Sequence, residues 1–113
     1  MRTIEDLQCA LSDFAEERDW NQYHSPKNLA MALAGEVGEL IAHFQWMTES
    51  ESHLAAIYPE ENDPIALEMA DVMIYLVRLA SVMDIDLLEV CEMKMELNAE
   101  KYPKIQPTGD GLY

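Results

Sequence analysis

Apolar residues recur at three- and four-residue spacing along nearly the whole chain, and the strict alternation of a half-buried strand is almost missing. The pattern predicts four helices joined by short connectors. The first spans about Thr3 to Asp19, with Ile4, Leu7, Leu11 and Phe14 as its buried stripe. Thr3 and Asp6 form its capping box, with Asp in place of the usual Glu. A polar-aromatic connector, Trp20 to Pro26, leads to the second helix. Ser25 caps that helix, and Pro26 takes the first position, where a missing N–H costs no hydrogen bond. Its stripe is Leu29, Leu33, Val37, Leu40, Ile41 and Phe44, and it ends near Trp46 or Met47.

Residues 48–63 are acidic and mixed, with one short helical turn around Leu54–Tyr58. Asp63 caps the third helix, Pro64 starts it, and Ile65, Met69, Val72, Leu76 and Leu79 face inward. Asp84 or Asp86 opens the fourth, which carries Leu87, Val90, Cys91 and Leu97 to about Tyr102 before Pro103 stops it. The fold class is therefore all-α, an antiparallel four-helix bundle. Residues 1–103 form one domain, and 104–113, with Pro107, Gly109 and Gly111, form a mobile tail. Four short helices leave apolar surface uncovered. That surface and the eight methionines predict a homo-oligomer, a dimer or a tetramer built as a dimer of dimers.

Composition narrows the function. The 113 residues hold 22 acids against 7 Lys and Arg, a formal charge of -15. A nucleic-acid binder needs cations to displace phosphate counterions, and docking on anionic lipid needs them too, so both partners are excluded. No apolar run is long enough to span a bilayer. The opening MRTIEDLQ carries acids early and has no apolar core, which predicts no signal peptide and a cytoplasmic protein. Cys9 and Cys91 lie in no C-x-x-C pattern and read as reduced core thiols.

Most acids sit in plainly wet runs, but two pairs do not. Glu36 and Glu39 lie in LAGEVGELIAHF, and Glu68 and Asp71 in ALEMADVMIYLV. Each pair is spaced i,i+3, so both members share a helix face, at the edge of an apolar stripe. If the second and third helices pack antiparallel, the pairs face each other. Four carboxylates in a partly dry place repel one another unless a cation holds them. Oxygen-only ligands favour Mg²⁺, with Mn²⁺ as a substitute, and Mg²⁺ recruits substrate phosphates. A di-iron centre would place His three residues after a carboxylate on two helices; neither candidate helix does so, and His43 follows Glu39 by four. Zinc hydrolase motifs are absent as well.

Other residues fit a polyphosphate ester. Lys94, Lys101 and Lys104 cluster in one short stretch of an otherwise acidic chain. Lys101 and Lys104 also suit a helix C-terminus, whereas Lys94 lies well inside the helix. Trp20 and Trp46 flank the second helix, as core lids or as platforms for a flat base. Tyr75, one turn beyond Asp71, orients a carboxylate, touches the sugar of a substrate, or packs.

At these residues the sequence resembles the MazG-type all-α nucleoside triphosphate pyrophosphohydrolases, most closely the dCTP pyrophosphatase branch. The resemblance covers about residues 4–103. It is carried by Phe14–Trp46 (FAEERDWNQYHSPKNLAMALAGEVGELIAHFQW), by EMADVMIYLVRLA and by K-M-x-x-N-x-x-K-Y-P. It implies that Glu36, Glu39, Glu68 and Asp71 ligate Mg²⁺, with Glu36 or Glu39 as the catalytic base. It implies that Trp20 and Trp46 surround the base, and that Lys94 and Asn98, with Lys101 and Tyr102 nearby, meet the triphosphate. Many relatives carry E-E-x-x-E; here Gly35 stands in place of the first Glu. The expected reaction is Mg²⁺-dependent hydrolysis of dCTP or a related or modified dNTP to the monophosphate and pyrophosphate, a house-cleaning activity. The alternatives are a pyrophosphohydrolase acting on dUTP or phosphoribosyl-ATP, and a non-enzymatic acidic helical interaction module.

Overall fold

The computed structural model describes residues 1–57 and 63–105. Its regular structure there is entirely helical: α1 (Ile4–Glu17), a 3₁₀ turn (Asn21–Tyr23), α2 (Pro26–Phe44), α3 (Glu49–Ile57), α4 (Pro64–Val82) and α5 (Leu87–Lys101). The chain divides into two compact units, Met1–Met83 and Asp84–Tyr113.

The first unit begins at the expected capping box. The Thr3 hydroxyl accepts the Asp6 N–H at 3.0 Å, and the Asp6 carboxylate accepts the Thr3 N–H at 3.2 Å. It also accepts the Arg2 N–H at 2.8 Å, and these backbone donors hold the Asp6 carboxyl below its ordinary pKa. At the other end of α1, Asp19 turns into the left-handed region at φ 54°. Asp tolerates this conformation better than most residues. The Trp20 N–H then reaches back to the Ala15 carbonyl at 2.8 Å, and the indole meets the Phe14 ring edge-on at 5.6 Å.

Ser25 and Asp63 cap α2 and α4 as expected, each ahead of a proline in the first turn. The two helices run antiparallel. His24, at the start of α2, bonds Arg78 late in α4, while Glu36, further along α2, lies beside Glu68 early in α4. The core where α1, α2 and α4 meet is narrow: Ala15, Leu29, Val77 and Ala80 are the buried hydrophobics among the described residues.

The expected stripes were too wide. Phe14, Val37, Ile41, Met69 and Leu76 are exposed, and Val77 and Ala80, outside the expected stripe, are buried instead. The residues that are covered, Ala15, Val77 and Ala80, are small or β-branched, and the bulky residues a step around each helix lie outside the contact. Between α2 and α4, the single turn expected around Leu54 is a nine-residue helix. It starts at a reciprocal cap, Thr48 N–H to Glu51 at 3.0 Å and Glu51 N–H to Thr48 at 3.1 Å. Tyr58 lies outside the described residues.

In the second unit, the Asp86 carboxylate caps α5 by accepting the Glu89 N–H at 3.1 Å. The helix ends with the Tyr102 N–H on the Asn98 carbonyl at 2.7 Å, one residue before Pro103. Val90 and Leu97, expected on its inner face, are exposed. Both cysteines are free thiols but exposed, not core residues as the sequence suggested. They lie on the exposed faces of α1 and α5; Cys91 was expected on the inner stripe of its helix, Cys9 on none. The expected tail falls mostly at residues 106–113, outside the described residues. Among the described residues, no helix is long and apolar enough to cross a membrane.

Candidate active site

The antiparallel pairing of α2 and α4 brings their acids together. One carboxylate oxygen from each of Glu36, Glu39 and Glu68 lies within 4.8 Å of the other two. Glu36 and Glu68 are half-buried, and Glu39 is exposed. The Oε2 atoms of Glu36 and Glu68 are fully buried and have no hydrogen-bond partner. Burial pushes the Glu36 carboxyl up to about 7, reinforced by the close carboxylates of Glu68 and Glu39 and by the charges of Glu39 and Asp71. Asp71, the fourth expected ligand, is not in the tight trio. It stands beside it, near enough for its charge to act on Glu36.

The trio fits a hard divalent cation. Two buried acceptor oxygens without donors are costly unless something positive meets them. Three convergent carboxylates, one of them open to solvent, are the donor set that Mg²⁺ or Mn²⁺ takes while keeping waters. Among the described residues no sulfur or imidazole joins the cluster, which disfavours softer metals.

Asp71 also lines a cavity of about 530 Å³ bounded by residues of α1, the Trp20–His24 connector and α4. Its walls are Leu11, Phe14, Trp20, Tyr23, Ile74 and Tyr75, with His24, Arg78 and Asp71 as the polar groups. Trp20 and Tyr75 thus line one cavity. Trp46 is 89% exposed and does not line this cavity.

The connector is held in place by Arg78. Its Nε–H donates to His24 Nδ1 at 3.1 Å, and its Nη2 donates to Asn21 Oδ1 at 2.7 Å. Asn28 anchors the same turn through a 2.9 Å bond from its amide to the Tyr23 carbonyl. Burial, and then the Arg78 charge, lower the His24 pKa below its ordinary value.

Sequence reasoning missed Phe14 as a cavity wall and missed both His24 and Arg78. A signal for Arg78 was available: it is a lone cation in an apolar helix, two turns from Asp71 and three residues from Tyr75, so it shares their face.

The α5 residues belong to the second unit. Lys94 and Asn98, four residues apart, share one face of α5, and Tyr102 follows as the residue just past its end. Lys94 is exposed, Asn98 is half-buried, and the Lys101 ammonium lies 5.3 Å from the centre of the Tyr102 ring.

The MazG-like family model matches residues 32–109. dCTP pyrophosphatase 1 of Rattus norvegicus and that of Homo sapiens are each 45% identical to this chain over 101 residues. The alignment covers 89% of this chain and 59% of either relative, so the chain spans about three-fifths of their length. Among solved structures, a pyrophosphatase from Archaeoglobus fulgidus superposes with a TM-score of 0.79 at 40% identity, covering 88% of this chain and 92% of that one. With most of the helical unit and both acidic pairs inside the matched region, the chain belongs to the MazG-like family.

Proposed function

We propose that this chain hydrolyses a deoxynucleoside triphosphate to the monophosphate and pyrophosphate, with Mg²⁺ as cofactor and dCTP or a modified relative as substrate. The observation that carries this reading is the trio Glu36, Glu39 and Glu68, with two buried acceptor oxygens lacking donors, joined through Asp71 to an aromatic cavity. The names of the relatives, dCTP pyrophosphatase 1 and an archaeal pyrophosphatase, favour the same chemistry.

Glu36, Glu39, Glu68 and Asp71 would hold the cation. When bound, it supplies neutralisation of the phosphate charge and Lewis acidity toward the attacked phosphate. Glu39 is the exposed member of the trio, the one bulk water reaches, and it accepts the proton of the attacking water. Attack at the α-phosphorus breaks its bond to the α–β bridging oxygen, and pyrophosphate leaves. The cavity holds the base, with Trp20 and Tyr75 offering ring faces; Trp46 is a second base contact. Lys94, Asn98, Lys101 and Tyr102 bind the triphosphate, their spacing on α5 presenting cation, amide and hydroxyl along one side. Most of the rate comes from positioning and fixed charge.

The working protein is a homo-oligomer, dimer or tetramer. Met31, Ile41, Leu67 and Met69 are each more than half exposed on α2 and α4, which is apolar area that a second copy would cover.

A panel of nucleoside triphosphates assayed for pyrophosphate release with and without Mg²⁺ tests the reading. The expected result is release from dCTP that requires Mg²⁺ and vanishes in Glu39→Gln. Full activity in that variant would remove Glu39 from the site.

A further inference from the structure

We infer that Arg78 fixes His24 as the neutral imidazole with its proton on Nε2, and that His24 is thereby a specificity-determining donor for an acceptor atom on the ring that fills the aromatic cavity. The inference rests on the nucleotide reading above and adds to it how one base is told from another.

The Arg78 guanidinium has no acceptor atom. Arginine stays protonated in proteins and can only donate. Its Nε–H points at His24 Nδ1 at 3.1 Å, so Nδ1 must carry a lone pair. A histidine with a lone pair on Nδ1 is neutral and bears its proton on Nε2. The Arg78 fork cannot turn away easily, because its Nη2 is held by Asn21 Oδ1 at 2.7 Å in the same connector. Burial and the adjacent positive charge act in the same direction, against protonation.

The consequence is chemical selectivity. His24 lines the cavity, its ring 6.1 Å from that of Trp20 and tilted against it. With Nδ1 engaged by Arg78, the polar atom it offers is Nε2–H, a donor only. A heterocycle with a carbonyl oxygen or an unprotonated ring nitrogen at that edge gains a hydrogen bond. A ring presenting an N–H there meets two donors and is rejected. A histidine free to switch tautomers could accept either ring. The guanidinium removes that freedom, so Arg78 acts as a positioning residue for His24.

Two measurements test this on the full chain. First, a long-range ¹H–¹⁵N NMR spectrum of the His24 ring near pH 7.5 reads the tautomer directly. The expected form is Nε2-protonated in the wild type and a mixture of both tautomers in Arg78→Lys, which keeps the charge but loses the fork. An Nδ1-protonated ring or an imidazolium in the wild type overturns the inference. Second, binding of the four uncleavable α,β-methylene dNTPs is compared in wild type and His24→Phe, which keeps a flat ring. Affinity for the best-bound base should fall about 3- to 10-fold, with less than about twofold change for the worst, as expected for one lost hydrogen bond. An equal loss for all four bases overturns the specificity role while leaving the nucleotide reading standing. A wild type that binds none of the four overturns that reading and this inference together.

Discussion

Glu36 on α2 and Glu68 on α4 bring carboxylate oxygens within 4.8 Å of each other, and each residue keeps one buried oxygen that no donor satisfies. Like charges that close, half removed from water, oppose folding. The fold tolerates them because α2 and α4 are held together elsewhere, by Leu29 and Val77 in the core and by the Arg78–His24 bond. A divalent cation held between them would turn the liability into a cross-link between the two helices.

Glu68→Gln should therefore separate stability from function. Without metal, the variant should melt at the wild-type temperature or above it, because one repelling charge is gone. Mg²⁺ should raise the wild-type melting temperature, since a ligand that binds only the folded state stabilises it, and should leave the variant unmoved. Turnover should fall at least about 100-fold, the scale of losing a fixed charge at a developing one. Calorimetric melting with and without Mg²⁺, paired with a rate assay, checks both halves.

Proton release should accompany metal binding below neutral pH. The Glu36 carboxyl is raised from 4.5 to about 7, so at pH 6 much of it is protonated and must ionise to take a cation. Metal affinity should weaken as pH falls through 7, and titration calorimetry in two buffers of different ionisation enthalpy should detect protons released at pH 6 and few at pH 8. The linkage to stability has the opposite sense in the metal-free chain. A raised folded-state pKa stabilises fully below 4.5, and that contribution is lost as pH rises through 7. The difference in melting temperature between wild type and Glu36→Gln should track this window, since His24, whose pKa is lowered, contributes equally to both.

The two tryptophans are separable. Trp20 packs on Phe14 and lines the cavity, so Trp20→Ala should raise KM and also lower stability. Trp46 is 89% exposed, so Trp46→Ala should leave the melting temperature unchanged. If it stacks on the base it should still raise KM, on the scale of about 1–3 kcal/mol for a base–aromatic contact. Steady-state kinetics with dCTP beside thermal melts of both variants distinguishes the two cases.

Packing and helix propensity give a further contrast. Leu29 is 1% exposed at the centre of the small core, and Leu29→Ala should cost about 2–5 kcal/mol. Gly35 and Gly38 lie inside α2, and a Cβ added at either meets nothing within 4 Å. Gly35→Ala should then stabilise by about 0.4–1 kcal/mol through the unfolded state. Urea denaturation of the two variants reads both signs in one experiment.

The helices and their starts were legible in the sequence because caps are local chemistry: Thr3 with Asp6, Ser25 with Pro26, Asp63 with Pro64 and Asp86 all act within a few residues. The T-x-x-E cap at Thr48 and Glu51 was equally local and would have lengthened the expected turn into α3. The pairing of Glu36 and Glu39 with Glu68 was legible because i,i+3 spacing fixes a helix face. Which apolar residues are buried was not, because Met69 at 58% exposure and Val77 at 1% are both apolar residues of α4, and the sequence alone does not say which face a neighbouring helix covers. The Arg78–His24 bond joins residues 54 apart in the chain, a separation that no helical period reports.

Hydrolysis between the α- and β-phosphates beside the Glu36–Glu39–Glu68 cluster is the reaction proposed for this chain. It is tested most directly by ³¹P NMR of dCTP turned over by the purified chain with Mg²⁺ in ¹⁸O-enriched water. The expected products are dCMP and pyrophosphate, with the isotope-shifted resonance on dCMP alone. Formation of dCDP and phosphate, label in the pyrophosphate, or intact dCTP after prolonged incubation would contradict it.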